Sequence, residues 1–412
     1  MLTRLIFSSM RARALTVVLA ILTIAFSVGL VLAVNVVRDG TKASFANTIS
    51  NTDLIVGARS GSVQLMLYTI FQIGNPTNNI SWDSVQAIAA RPEVDWLVPI
   101  SLGDSHGEFR VMGTSVAFFE RYRYRGGQSI GLHQGAAFTG LYHAVVGSDV
   151  AATLNYELGQ EIVVSHGLAS FIDHDDRPFK ITGILERTGT PIDRTVLISL
   201  ESMEVIHRGW RPGAGSPTGP EPAMAELQPK EVTAALVGIG SRLDIFNVQR
   251  WINTYPGEPL LAVLPGLTLQ ELWQFIGVAE DALRAVSLMV VGAALLGMIA
   301  VIFSGLNERR REMAILRAMG ARPGVVFGLL LLEAVIMAGA GCLIGAVGTY
   351  GLLYAARPLI DAHFGIWLPM QGPGPEELKL LGGVMAAAGL ASIFPAARAY
   401  QLSLADGLSI KN

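Results

Sequence analysis

The chain has 412 residues, of which 51% are hydrophobic and only 15% are charged, and its mean hydropathy is +0.46. Soluble domains carry about 25% charged residues, so this composition indicates an integral membrane protein with a sizeable soluble portion. The net charge of -3 gives no support for nucleic-acid binding, and the single cysteine, Cys342, excludes an intramolecular disulfide.

The first 37 residues predict an entry into the membrane. Residues 1–13 combine arginines with apolar side chains, so they form either an amphipathic elbow in the interface or an early start of the first span. Residues 14–37 carry no charge and exceed the roughly 20 residues that a spanning helix needs. A cleaved signal peptide is the alternative, but the apolar run is too long and lacks a small-residue cleavage site.

Residues 38–280 predict a mixed α/β domain. In residues 81–101, Ser81 is predicted to cap a short helix that is followed by a strand. The Pro- and Gly-rich residues 208–229 predict a loop. Other elements are predicted from local patterns: paired strands in GQEIVVSH and RPFKITGILER, a strand and helix in RTVLISLESMEVI, a strand in EVTAALVGIG, and a helix in SRLDIFNVQRWINTY.

One helical segment of this domain, SVQLMLYTIFQI, carries an apolar stripe. We interpret it as a core helix, and the alternative is a lipid-level entrance for an apolar substrate. The stripe consists of Val63, Met66, Leu67, Ile70 and Phe71.

Motifs for catalysis or for direct cofactor binding are absent from the sequence. It contains no phosphate-binding loop, no G-x-S-x-G, no H-E-x-x-H and no cysteine cluster. The acidic run DHDD, Asp173–Asp176, is interpreted as a solvated turn rather than a metal site. The chain is therefore predicted to be no enzyme, with no catalytic, cofactor-binding or metal-binding residues of its own.

Three further spans are predicted at 281–306, 323–356 and 380–397. The last is short, but its Gly- and Ala-rich face suits close helix packing. The third contains Glu333, and an acid within a span faces protein or water because exposure to lipid is costly. Glu333 is predicted either to act in coupling or as a polar contact that locks two helices together, or else to stay hydrated near the cytoplasmic interface.

A charged helix is predicted between the second and third spans, in residues 307–322. Met313, Leu316 and Met319 or Gly320 share one apolar face, and Gly320 and Pro323 end the helix. An ordinary positively charged loop would explain its five arginines but not the apolar face. We therefore predict that this segment docks onto a cytoplasmic partner. The predicted docking residues are Glu312, Met313, Leu316, Arg317, Met319 and Gly320.

The basic residues predict the orientation of the spans. Residues 1–13, 307–322 and the tail 398–412 together hold ten lysines and arginines, whereas the loop 357–379 holds two against three acids. The positive-inside rule then places both termini and the charged helix in the cytoplasm, and residues 38–280 outside.

Four stretches carry a family resemblance. NERRREMAILRAMGARPGVVFGLLLLEAVIMAGAGCLIGAVGTYGL, from residue 307, resembles the signature of FtsX-domain ABC permeases, the superfamily of MacB and of LolC and LolE. SIFPAARAYQLSLADGLS resembles that family's close, with Leu404 where proline is usual. In the outer segment, VVGSDVAATLNYELGQEIVVS and FKITGILERTGTPIDRTVLISLESM are similar to the MacB-type periplasmic core. The FtsX-like part would be about 281–405.

The resemblance implies an α-helical membrane protein with four transmembrane helices and a large extracytoplasmic α/β domain between helices 1 and 2. It implies a permease subunit in the bacterial inner membrane that transmits work from ATP hydrolysis to its periplasmic domain. ATP and magnesium would bind to a LolD/MacB-type ATPase, present in two copies. The other implied partners are a second permease chain (identical or paralogous), membrane lipids, and a periplasmic adaptor or substrate-binding protein.

Three alternatives stay open at this point. One is a LolC/LolE-like subunit for lipoprotein release, and another is an FtsX-like regulator of a cell-wall enzyme. A membrane-anchored enzyme such as a metallopeptidase is the third, although no motif supports it.

Overall fold

A computed structural model describes residues 10–11, 13–167, 177–208, 227–308, 319, 321–364 and 372–405. The run DHDD, most of the Pro- and Gly-rich loop, and most of the predicted elbow lie outside these residues. By its contacts the chain divides into two units. The first, called the membrane unit below, consists of Met1–Asp39, Gly277–Pro358 and Leu368–Asn412, and the second, called the outer unit, consists of Gly40–Ile276 and Leu359–Trp367.

The elements alternate between long apolar helices and a strand-rich central segment. The helices are α1 Ala14–Thr48, α2 Ser62–Thr69, α3 Trp82–Ala89, α4 Ala117–Arg121, α5 Ser148–Leu154, α6 Leu200–His207, α7 Ile245–Asn253, α8 Pro265–Glu308, α9 Pro323–Phe364 and α10 Pro375–Ala405. The strands are β1 Leu54–Ala58, β2 Ile80–Ser81, β3 Val94–His106, β4 Phe109–Thr114, β5 Arg123–Tyr124, β6 Gln128–Ser129, β7 Leu132–Gly135, β8 His143–Val146, β9 Glu161–Ile162, β10 Phe179–Leu185, β11 Thr195–Ser199, β12 Glu231–Val232, β13 Ala234–Ile239 and β14 Leu260–Val263.

Four helices in the described part of the chain, α1, α8, α9 and α10, are long and apolar enough to cross a membrane. The prediction of four spanning helices is therefore confirmed. The helices are longer than the apolar runs, at 31 to 44 residues, because a helix continues past the hydrocarbon wherever its backbone stays paired. Three of them begin at a proline, whose missing N–H costs nothing in the first turn.

The first unit has an apolar core between its helices and an apolar exterior. Val28 and Leu32 of α1, Met298 of α8, Met337 of α9 and Ala388 of α10 are fully buried against one another's helices. Large apolar side chains cover the outside, which suits contact with lipid rather than with water. Examples of the exposed side chains are Phe26, Leu296, Leu343, Leu352 and Phe394.

The second unit is built on a ten-stranded mixed sheet, which confirms the predicted mixed α/β domain. Its order is β14-β1-β13-β3-β4-β11-β8-β10-β7, with β9 paired to β10. The pairs β11 with β4 and β10 with β8 are parallel, whereas the other pairs are antiparallel.

Both faces of the central strands are buried, because successive side chains point to opposite faces. In β1, Ile55 lies in one apolar cluster and its neighbours Leu54 and Val56 lie in another on the opposite face. In β11, Leu197 joins the first cluster while Val196 packs into a third. These strands consequently read as unbroken apolar runs rather than as alternating ones.

Local predictions for this unit also hold. Ser81 caps α3, since its hydroxyl accepts from the N–H of Ser84. The apolar stripe lies on α2 and the residues after it, with Met66, Ile70 and Phe71 buried in the core. The interpretation as a core helix is thus the correct one of the two.

Candidate coupling site in the membrane unit

The predicted docking segment lies almost wholly outside the described residues. Of its six named residues only Met319 is described, and its side chain is 68% exposed. The segment is followed directly by α9, which begins at Pro323. The docking role of Glu312, Met313, Leu316, Arg317 and Gly320 stays a prediction.

Glu333 of α9 forms an ion pair with the residue that precedes α1. The Nη2 atom of Arg13 lies 3.1 Å from Oε1 of Glu333 and donates a hydrogen bond to it. The side chains are only 12% and 4% exposed, respectively. Glu333 therefore makes a polar contact between helices, as in the first of the two predicted alternatives, and its share in coupling stays a prediction. The sequence does not identify Arg13 as the partner, because an arginine at the cytoplasmic end of a span is already explained by the positive-inside rule.

The helices α1 and α9 run parallel and keep one register along their contact. Gly29 pairs with Thr349 through a hydrogen bond of 3.1 Å from the threonine hydroxyl to the glycine carbonyl. This pair and the ion pair Arg13–Glu333 share a sequence separation of 320. An identical offset at two points 16 residues apart requires parallel helices in a constant register over about 24 Å.

Small residues allow these two backbones to approach closely. A Cβ atom on Gly345 would lie 2.5 Å from the carbonyl oxygen of Ala25, and one on Gly341 would lie 2.7 Å from Cγ2 of Ile24. Gly341 and Gly345 form a G-x-x-x-G pattern, the spacing that brings membrane helices together. This pattern is visible in the sequence and is the signal by which the α1–α9 contact could have been found.

The geometry therefore joins α1 and α9 at both ends of their contact. The ion pair acts at the level where α1 begins, and the glycines and Thr349 act further along the helices. A slide of one helix along the other would break both pairs.

A groove of about 560 Å³ opens between α1, α8 and α10 within the same unit. Its walls are mainly apolar, and charged groups lie at one end, where Arg38 contacts Asp39 and Lys379 contacts Glu376. A groove of this kind suits the hydrocarbon part of an amphipathic molecule. Apolar wall residues include Val31, Val34, Leu288, Val291, Leu380 and Val384.

Two family models match most of the chain. The model described as MacB-like periplasmic core domain matches residues 17–237, and the model described as FtsX-like permease C-terminal matches residues 284–404. The first includes most of the mixed sheet, except β14 and the end of β13, and the second includes the α9 helix that carries Glu333.

Individual relatives match parts of the chain. The macrolide export ATP-binding/permease protein MacB of Neisseria meningitidis serogroup A is 31% identical over 132 residues, which is 31% of this chain and 19% of that protein. The lipoprotein-releasing system transmembrane protein LolE of Haemophilus influenzae is 21% identical over 287 residues, 64% of each chain. The matched part is thus about a fifth of the length of this MacB relative.

The periplasmic region of MacB from Actinobacillus actinomycetemcomitans is also similar in structure, with 12% identity, a TM-score of 0.35, and coverage of 55% of this chain and 94% of that one. Since the core-domain model alone matches more than half of the residues and the FtsX-like model matches three of the four spanning helices, the chain belongs to the FtsX-like permeases of the MacB/LolC/LolE superfamily.

Proposed function

We propose that the chain is the non-catalytic transmembrane subunit of an ATP-driven ABC transporter that transmits work from a separate ATPase to its MacB-like domain. Two copies of a LolD/MacB-type ATPase would bind ATP and magnesium, and two permease chains would complete the unit. The protein would lie in the bacterial inner membrane with both termini in the cytoplasm and the MacB-like domain in the periplasm.

One observation carries this proposal: α9, which begins at Pro323 directly after the predicted docking segment 307–322, packs closely against α1. Closure of the ATPase would move residues 309–318 and, with them, the start of α9. The Arg13–Glu333 ion pair and the Gly29–Thr349 hydrogen bond would make α1 follow. The outer unit is continuous in sequence with α1 and α8, and the chain itself would carry the motion onward.

The docking face is tested by a pair of contrasting variants. Leu316→Asp with Met319→Asp places charges on the apolar face, and a buried unpaired charge costs at least about 3 kcal/mol, which weakens binding by about a hundredfold. Arg310→Ala is the matched control, since an exposed ion pair contributes about 0–1 kcal/mol. The measurement is co-purification of the ATPase that accompanies the wild-type chain from its own host, together with the ATPase activity of the complex.

Loss of the ATPase from the aspartate variant, with retention in Arg310→Ala, supports docking through the apolar face. The reverse pattern would show that the segment acts through its charge alone. Absence of any ATPase from the wild-type preparation, under conditions that keep the membrane complex intact, would overturn the proposed function itself.

A LolC/LolE-like role in lipoprotein release is the second candidate, favoured by the groove between α1, α8 and α10. An acyl chain fits its apolar walls, and the charged end can hold a polar head. Leu380→Trp with Val384→Trp would fill the groove. In this alternative the variant keeps its ATPase but loses photo-crosslinking to an acylated lipoprotein, whereas unchanged crosslinking would exclude the groove as the cargo site.

A further inference from the structure

Two histidines and an aspartate from three separate segments meet in the outer unit. Asp104 lies in β3, His166 follows β9, and His207 is the last residue of α6. Ser105 and Ser165 form an antiparallel bridge, with reciprocal N–H···O distances of 3.0 and 2.8 Å. In that register Asp104 falls opposite His166, so the backbone places these two side chains together.

The three polar atoms form a nearly equilateral triangle. Nδ1 of His166 lies 3.0 Å from Nε2 of His207. Oδ1 of Asp104 lies 3.3 Å from Nε2 of His207 and 3.6 Å from Nδ1 of His166. Ligands bound tetrahedrally at 2.0–2.1 Å to one ion are about 3.3 Å apart, which equals the mean side of this triangle. One ion can therefore contact all three atoms without large movement.

The orientation of His207 suits a ligand. Its Nδ1 lies 2.7 Å from the carbonyl oxygen of Met203, an atom that can only accept, so Nδ1 carries a proton. The neutral ring then directs the lone pair of Nε2 toward Asp104 and His166. An outer hydrogen bond to a backbone carbonyl is the usual way in which proteins fix the tautomer of a metal-binding histidine.

Asp104 supplies the negative charge and is the most deeply placed of the three groups. Its side chain is 1% exposed, and among the described residues neither carboxylate oxygen accepts a well-formed hydrogen bond. A buried carboxylate without such bonds is costly unless a positive charge or a metal ion faces it. The side chains of His166 and His207 are 43% and 31% exposed, so the opposite side of the cluster opens to solvent.

We propose that Asp104, His166 and His207 form a binding site for a divalent transition-metal ion of the Zn²⁺ type, with the fourth position open to water or to an external ligand. Two imidazole nitrogens and one carboxylate oxygen suit Zn²⁺, whereas Mg²⁺ and Ca²⁺ require six or more oxygen ligands. The bound ion would join β3, the segment after β9 and the end of α6. This site is independent of the proposed coupling function, which uses none of its residues.

The alternative is a charged cluster without metal. Burial opposes protonation of His207, but the close contact with the charge of Asp104 outweighs it and raises the pKa of the imidazole above its usual value. A protonated His207 would then neutralise Asp104 on its own. The two possibilities differ in what zinc does, so zinc binding decides between them.

The test uses the full chain, purified through a tag without histidine, treated with EDTA and reconstituted in nanodiscs. Titration calorimetry with ZnCl₂ is expected to show one tight site for each chain. His166→Ala removes a direct zinc ligand and should weaken zinc binding by more than about a hundredfold. Loss of a residue that only hydrogen-bonds to a ligand typically weakens binding by about 10–100-fold. His133→Ala is the control, because His133 lies on β7 with an exposed side chain and should leave zinc binding unchanged.

Several further outcomes are decisive. X-ray absorption at the zinc edge should show two imidazole ligands in the wild-type chain. A spectrum with one imidazole fewer in His207→Ala would support the site. Equal zinc affinity in His166→Ala and in the wild-type chain would overturn the proposal. It would also be overturned if His174→Ala lost zinc binding while His166→Ala kept it. Tight binding of Mg²⁺ in competition with zinc would also overturn it. His166→Ala is the safest variant for folding, since its side chain is half-exposed, and equal unfolding temperatures of the metal-free proteins check this.

Discussion

The Arg13–Glu333 pair allows the contact between α1 and α9 to be measured as a free energy. Replacing Glu333 with alanine leaves the guanidinium of Arg13, only 12% exposed, without its carboxylate partner. At 3.1 Å the attraction is about 5 kcal/mol for an effective dielectric constant of about 20. Removing one partner of a buried pair costs about 3–5 kcal/mol in practice, and we expect Glu333→Ala to destabilise the membrane unit by this amount.

The double replacement separates the pair from its individual members. Arg13→Met with Glu333→Leu removes both charges and keeps apolar volume, so its stability should lie within about 1 kcal/mol of the wild-type chain or above it. The difference between the double variant and the sum of the single variants is then the coupling energy. We expect at least about 2 kcal/mol.

The assay is unfolding of the full chain in nanodiscs or mild detergent, followed by tryptophan fluorescence. Glu376→Ala is the matched control, because this carboxylate is 82% exposed and lies 2.7 Å from Lys379. An exposed pair of this kind contributes little to stability, because water and salt screen it. If Glu333→Ala were no more harmful than Glu376→Ala, Glu333 would be hydrated in the native protein, and the reasoning from burial would be refuted.

Three further predictions concern packing, the outer unit and assembly. Gly345→Leu should destabilise the protein by about 2 kcal/mol or more, because the new Cβ would lie 2.5 Å from the carbonyl oxygen of Ala25. Gly348→Leu is the control and should change stability little, because the space around Gly348 is open. Thermal unfolding measures both variants, and equal effects would contradict the close contact. Asp193→Ala should cost about 3 kcal/mol, since Asp193 is 2% exposed and its carboxylate accepts from the N–H groups of Thr188 and Gly189 and from the hydroxyl of Thr188. Asp95→Ala, at the surface, should stay within about 0.5 kcal/mol. Native mass spectrometry should find two permease chains with two ATPase subunits, and a stable complex with a single permease chain would refute this stoichiometry.

The long apolar helices and the outer strands were predictable because their signals are local. An uncharged run of about 20 residues has few structural outcomes other than a membrane span. Ser81 before an apolar helical pattern predicts an N-cap from its own chemistry. The register of the strands in the sheet was not predictable in the same way, since β11 pairs in parallel with β4 across some 80 residues of sequence.

The partners of single polar residues depend on the packing of distant segments. Glu333 could be recognised as costly from its surroundings in the sequence, but nothing local identifies Arg13, 320 positions earlier, as its counter-ion. Asp104 likewise meets His166 through the bridge between Ser105 and Ser165, and it meets His207 through the position of α6. Hydropathy and periodicity report which face of an element is buried, and they carry no information about which two elements meet.

The polar and the small-residue contacts of α1 and α9 together specify one register. Apolar side chains alone would tolerate a slide of one helical turn, because one ridge of side chains can occupy the next groove at little cost. Such a slide, about 5.4 Å, would separate Arg13 from Glu333 and move Gly345 away from Ala25. Buried polar pairs are best attested as devices that fix register, and this one has the same register as the close approach of Gly345 to Ala25. Sliding is therefore the costly motion of this pair, and tilting as one body is the motion that keeps every contact. The transmission of work proposed for this chain needs that second motion.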